Sequence, residues 1–166
     1  MEYERSVCCA FTGHRPEKLG LPLEPIKLEM VEAVKRAVKD GYRVFFSGMA
    51  RGIDMLAADI VLRLRDLGEP VRLVAAVPFP GFEIGWSADW QKRYRELLER
   101  ADEVVYVSPS YSKSCFQVRN EWMIDRSTRL IAAYNGTKGG TRNTVEYAKR
   151  RGILVVNTAK DLAGSQ

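Results

Sequence analysis

Residues 43–54, Arg43-Val44-Phe45-Phe46-Ser47-Gly48-Met49-Ala50-Arg51-Gly52-Ile53-Asp54, carry an apolar run into a turn with two glycines and on into a second apolar pattern. Beyond the turn, Ile53, Leu56, Ala57, Ile60, Val61, Leu64 and Leu67 recur at helical period. Ahead of it the apolar residues do not alternate with polar ones, which suits a strand buried on both faces of a parallel sheet. A strand handed to a helix through a tight turn is the repeating unit of an α/β fold, and the rest of the chain repeats it.

Strands are predicted at 7–11, 43–47, 71–77, 103–107, 130–134 and 153–156. Between them Ile26, Met30, Val34 and Val38 fall at four-residue steps, and Trp86, Trp90, Tyr94, Leu97 and Leu98 form another helical stripe. Further helices are expected at 116–126 and 141–151. Gly41 and Gly152 each follow a helix and precede a strand, where a left-handed cap fits. Six strands alternating with five helices predict a doubly wound, mostly parallel six-stranded sheet with helices on both faces, a Rossmann-like α/β domain spanning residues 1–166.

Composition agrees with a single globular domain: 166 residues, 46% hydrophobic and 28% charged. No apolar run approaches the roughly 20 residues of a membrane span, and the opening residues lack a secretory leader. Cys8, Cys9 and Cys115 are odd in number, and two are adjacent in a strand, pointing to opposite faces. They fit neither a disulfide framework nor a metal cluster; small buried hydrophobes in a reducing cytoplasm are expected instead. The net charge of +5 is uneven. From Lys113 to Arg151 nine Lys/Arg face three acids, an excess that would draw phosphates or nucleic acid but lacks the interleaved aromatics of single-strand binders. A solvated basic surface is the plainer reading.

Doubly wound folds bind ligands beyond the carboxyl ends of their strands, so the strand-end turns are the expected site. They supply Gly13, His14 and Arg15; then Ser47, Gly48, Met49, Ala50, Arg51, Gly52 and Asp54; then Phe79 and Phe82; and last Gly139, Gly140, Thr141 and Thr144. Arg119 and Asn120 lie on the helix at 116–126, where Arg119, Met123 and Phe116 share a face. Glycine turns that open helices expose N–H groups favourable to an anion, and arginines neutralise its charge. Phe79 and Phe82 are candidates to stack on a base; Trp86 and Trp90 are expected in the core. Asp54 is read as a cap or turn holder. His14 is the one histidine, which leaves no Ser/His/Asp triad in view. GxxxxGK[ST] is absent, as is GxGxxG after the first strand, so neither a Mg-ATP machine nor a dinucleotide dehydrogenase is indicated. No metal and no obligatory cofactor is expected.

Thr12-Gly13-His14-Arg15-Pro16, the stretch SGMARGIDMLAAD from Ser47, the PFPGF segment followed by Trp86, RNEWMID from Arg119 and NGTKGGTRNT from Asn135 together resemble the YpsA-like proteins of the SLOG superfamily. The likeness runs from about Val7 to Asn157. It implies a cytoplasmic, bacterial, Rossmann-like domain that binds nucleotides or nucleotide-derived ligands, and a homo-oligomer paired through its helices. The same superfamily holds DprA, which implies a single-stranded DNA alternative, and the LOG-type phosphoribohydrolases. By resemblance to the latter, Arg119 and Glu146 would be catalytic, breaking the N-glycosidic bond of a nucleoside monophosphate. Aligned on Gly139-Gly140, Glu146 falls where the LOG glutamate belongs; aligned on Thr144, Tyr147 does. One residue along a helix is about 100°, enough to turn a side chain away from a pocket. The leading expectation is therefore a nucleotide sensor or regulatory module, with phosphate binding at the strand-end turns.

Overall fold

A computed structural model of the chain describes residues 2–159. Six strands, β1 (Cys8–Gly13), β2 (Val44–Ser47), β3 (Arg72–Val77), β4 (Glu103–Tyr106), β5 (Arg129–Ala133) and β6 (Leu154–Asn157), form one sheet in the order β4-β3-β2-β1-β5-β6. Every pairing is parallel. The expected strands are all present, with ends shifted by one or two residues. Connecting them are α2 (Leu23–Lys39), α3 (Ile53–Asp66), α4 (Ala88–Arg100), α5 (Cys115–Asp125) and α6 (Gly140–Arg150). A four-residue helix, α1 (Pro16–Leu19), and a short 3-10 turn at Arg5–Val7 were not anticipated.

The pleat sorts neighbouring residues into two cores. Cys9, Phe11, Phe45, Leu73, Ala75 and Ile131 face α2, α3 and α4, whereas Cys8, Ala10, Phe46, Val74, Ala76 and Leu130 face α5 and α6. The adjacent cysteines thus belong to different layers, and all three cysteines are free and buried. Burial pushes the Cys8 thiol up to about 11 and raises that of Cys9 further, which keeps both protonated and unreactive. Ile26, Met30, Val34 and Ala37 are the buried stripe of α2. At its end Gly41 has φ +102°, and Gly152 after α6 has φ +74°, the left-handed geometry expected there.

The stripe predicted from Trp86 onward begins later. The Ser87 hydroxyl accepts the Trp90 N–H at 3.4 Å and caps α4, so Trp86 stands ahead of the helix in the loop after β3. Among the described residues no helix is long and apolar enough to cross a membrane.

Because β1 pairs with β2 on one side and β5 on the other, the chain reverses its winding direction between β1 and β5. That reversal opens a crevice at the carboxyl ends of the two strands. The sheet's second face depends on Phe46, fully buried with its ring 5.0 Å from Tyr3 and 5.4 Å from Trp122, edge to face in both cases. Phe46→Ala is expected to lower unfolding free energy by about 3–5 kcal/mol, measured by urea denaturation. A loss below about 1 kcal/mol would contradict this packing.

Candidate functional site

The turn after β2 is held from within. Met49 has φ +62° and is fully buried. Its N–H donates to Ser47 Oγ at 3.2 Å, and the Ser47 hydroxyl donates to the Asp54 carbonyl at 2.7 Å. Ala50 N–H donates to Asp54 Oδ2 at 3.3 Å. Two N–H groups of the turn are therefore engaged by its own side chains, and Asp54 has the turn-holding role expected of it. Ser47, Gly48 and Met49 are buried; they shape the turn, while Ala50, Arg51 and Gly52 reach the surface hollows.

Arg119 crosses to this turn from α5. It is buried, donates from a terminal guanidinium nitrogen to the Gly48 carbonyl, and donates from Nε to Asn120 Oδ1 at 2.8 Å. A Cβ on Gly48 would lie 2.7 Å from the guanidinium carbon, so glycine is required for this approach. Gly13 is equally constrained: a Cβ there would meet Ile53 Cγ2 at 2.4 Å. Burial pushes the Asp54 carboxyl up, opposed by the nearby Arg119 charge and the Ala50 N–H. Burial likewise pulls Arg119 down, with Asp54 acting against it.

Two hollows meet at Arg119. One, about 440 Å³, lies at the β1–β5 crevice. Thr12, Gly13, His14 and Arg15 line it from β1 and its turn, with Lys18 from α1. Ala50 and Asp54 come from the second turn, Phe116 and Asn120 from α5, and Gly140 and Thr141 from the start of α6. The other, about 430 Å³, is walled by Phe79, Phe82, Trp86, Tyr111 and Phe116. Ring centroids of Phe79 lie 5.9 Å from Phe82 and 5.8 Å from Tyr111, and Phe82 is 4.9 Å from Trp86. The hollows share Arg15, Ala50, Phe116 and Arg119.

Beyond Ser47, Gly48 and Met49, buried in the turn, and Gly52, which lines neither hollow, three expected residues stand apart, and the rest converge here. Glu146 is exposed and bridges to Arg142 at 3.0 Å, outside the lining of either hollow. Thr144 is fully buried and its hydroxyl donates to the Gly140 carbonyl at 2.8 Å. Gly139 serves as N-cap to α6, close against Lys18 Nζ. Trp86, expected in the core, packs on it and also faces the aromatic hollow. Thr12, Lys18 and Tyr111 were not expected in the site. Lys18 comes with α1, whose Pro16 start and Gly20 end are a recognisable helix bracket in the sequence. Its Nζ donates to the Lys138 carbonyl at 2.6 Å, and Asn135 Nδ2 donates to the Lys18 carbonyl at 2.9 Å, fastening α1 to the loop before α6.

A profile of the YspA SLOG family (YpsA) matches residues 9–152. The chain belongs to that family. Among YpsA relatives, the uncharacterized SPbeta prophage-derived protein YoqJ of Bacillus subtilis (strain 168) is 35% identical over 118 residues, covering 64% of this chain and 69% of YoqJ. A UPF0398 protein of Bacillus thuringiensis (strain Al Hakam) is 30% identical over 155 residues, 87% of this chain and 84% of its own. In structure the YpsA chain is similar to DNA processing protein A (DprA) of Streptococcus pneumoniae, with TM-score 0.63 and 20% identity over 90% of this chain and 49% of that one. It therefore spans about half the length of that protein. DprA of Helicobacter pylori, whose structure was described for its single-stranded DNA binding mode, gives TM-score 0.61 and 16% identity over 97% and 73% of the two chains. These two likenesses establish the shared Rossmann-like fold.

Among the described residues no group of three or more His, Cys, Asp or Glu is placed to hold a metal ion. His14 is buried, its Nε2 3.4 Å from Thr137 Oγ1 and its ring 5.5 Å from Tyr134. Burial first, then the Lys18 charge, pulls its pKa below 6.5, with Asn135 opposing. The unfolded chain thus takes up a proton near pH 6.5 that the folded chain resists, so stability falls as pH drops through and below that value. His14→Gln should remove up to about 1.4 kcal/mol of this loss per pH unit, seen in denaturation midpoints compared at about pH 7.5 and about pH 5.5. An unchanged slope in the variant would refute the assignment. Gly48→Ala is expected to displace the Arg119 guanidinium, visible in a crystal structure of the variant, and to cost about 1–3 kcal/mol of stability.

Proposed function

We propose that this YpsA protein binds a nucleotide or nucleotide derivative as a sensing or regulatory module. The phosphate sits at the N-terminus of α6 and the base in the aromatic hollow. The observation that carries this reading is the joining of the two hollows through Arg15, Ala50, Phe116 and Arg119. One has the chemistry of an anion site: the opening N–H groups of an 11-residue helix, with Arg15 and Lys18 beside them. The other offers rings for a flat, apolar partner. Since the turn after β2 already engages Met49 and Ala50 N–H internally, the phosphate is assigned to α6 and not to that turn.

The phosphoribohydrolase alternative needs a carboxylate in reach of the departing base. Glu146 stands outside the hollows on Arg142, and Asp125 lies outside them with Tyr147 and Arg151. Asp54, which does line the crevice, has one carboxylate oxygen on the Ala50 N–H. Binding without hydrolysis is the reading that these positions favour. A second reading, single-stranded DNA binding, draws on the fold shared with DprA, one of whose members is described as binding single-stranded DNA. The basic excess from Lys113 to Arg151 adds little to it. Arg129 and Arg142 pair with Asp40 and Glu146, Arg151 lies 3.4 Å from Asp125, and Arg119 is buried on the Gly48 carbonyl.

Calorimetric titration of the full chain with the common nucleoside 5′-monophosphates tests the proposal. Binding is expected to weaken about tenfold in Arg15→Gln, the worth of one charge-assisted contact, without a change in thermal midpoint because Arg15 is exposed. Tyr111→Ala should weaken nucleotides by about 1–3 kcal/mol and leave ribose 5-phosphate unaffected. Undetectable binding of every nucleotide would sink the nucleotide reading. Affinity for a single-stranded oligonucleotide that exceeds that for mononucleotides, and falls steeply with salt, would favour the DNA reading.

A further inference from the structure

Arg15 and Arg51 have a second surface. Besides the aromatic hollow, both line a separate cleft of about 290 Å³ at the start of α3 and along α4. Leu56 and Trp90 give that cleft an apolar floor, and Arg93 supplies a third guanidinium. Its one carboxylate is Glu17, and no ion pair engages Arg15, Arg51 or Arg93 among the described residues. The cleft therefore carries a net positive charge, with Arg93 also bordering a neighbouring hollow lined by Asp59, Glu96 and Glu99. Two of the guanidiniums are stacked: Arg51 lies 5.1 Å over the Trp86 ring and Arg93 4.9 Å over Trp90. Stacking on a ring face holds a guanidinium while leaving its in-plane N–H donors for a phosphate.

Charge is thus provided on both sides of the aromatic hollow, at the α6 crevice and at the arginine cleft, with Arg15 common to all three spaces. We propose that the cleft of Arg51 and Arg93 binds a second phosphate of the same ligand. The ligand class is then a nucleoside phosphorylated on both its 5′ and 3′ sides. A nucleoside 3′,5′-bisphosphate or a dinucleotide has this chemistry, and so does an internal residue of a single DNA strand. The inference rests on the nucleotide reading above and narrows it.

The test compares adenosine 5′-monophosphate with adenosine 3′,5′-bisphosphate by calorimetry on the full chain at fixed ionic strength. The bisphosphate is expected to bind at least about tenfold tighter, the factor one charge-assisted contact supplies. Arg93→Gln should abolish that preference and leave monophosphate affinity unchanged; Arg93→Glu should reverse it. Arg95→Gln, on the same helix and also exposed, removes the same charge outside the cleft and should keep the preference. Equal affinities in the wild type, or a preference that survives Arg93→Glu, would overturn this inference and spare the nucleotide reading. Failure of both ligands to bind would overturn the two together. A single-stranded oligonucleotide that binds tighter than the bisphosphate, and whose affinity falls in Arg93→Gln by the same factor as the bisphosphate's, would identify a strand as the source of the second phosphate. Equal or weaker binding would identify a small molecule.

Discussion

The buried guanidinium of Arg119 on the carbonyl of Gly48 is the contact on which the carboxyl end of this sheet depends. α5 packs with the second face of the sheet, while the turn carrying Gly48 leads into α3 on the first. Arg119 bridges these layers across the strand ends. A buried cation is tolerable only when its donors are met and an opposite charge is near. Gly48, Asn120 and Asp54 answer both needs. Any side chain at position 48 would occupy the space of the guanidinium. Both hollows of the site use Arg119 as a common wall, so their geometry follows from this contact.

Around it the strand-end turns divide their work. The turn after β2 spends its serine and aspartate on its own backbone, which fixes Met49 in a conformation that L-residues seldom adopt. It is a rigid shoulder more than an anion cradle. α6 opens at the same edge, where Lys18 secures α1 over the loop ahead of the helix. A site built of several short pieces from distant parts of the chain is usual for a doubly wound sheet, because all its loops at one edge converge.

The strands were legible because continuous apolar runs such as 71–77 are what burial on both faces demands. Arg119 could be placed because Phe116 and Met123 define its helix face. Glu146 could not, since the two alignments differ by one residue and the side of α6 that faces the sheet is set by the burial of Thr141, Thr144, Val145 and Ala148. Trp86 fits a helical stripe by spacing, yet Ser87 starts the helix after it; a cap one residue later overrides periodicity. Lys18 escaped notice because a helix of four residues has no periodicity to detect. Inside the second turn Asp54 was legible as a turn holder, whereas the bonds made by Ser47 leave no trace in spacing. Composition and pattern thus expose the frame and the neighbourhood of the site, while the side each residue faces is settled by packing.

The strand order has a consequence for how the chain is made. β1 is synthesised first but lies at the centre, flanked by β2 and by β5, which begins only at Arg129. Until α5 and α6 emerge, Cys8, Ala10, Phe46, Val74 and Ala76 have no layer to cover them. A nascent chain extended through β4 would therefore hold most of the first layer, still without Ile131 and Ala133 of β5, and one bare apolar sheet face. That state invites association with other chains or with a chaperone until α5, β5 and α6 have emerged. The reversal of winding that creates the crevice thus also postpones closure of the core until the last strands and helices of the sheet have been made.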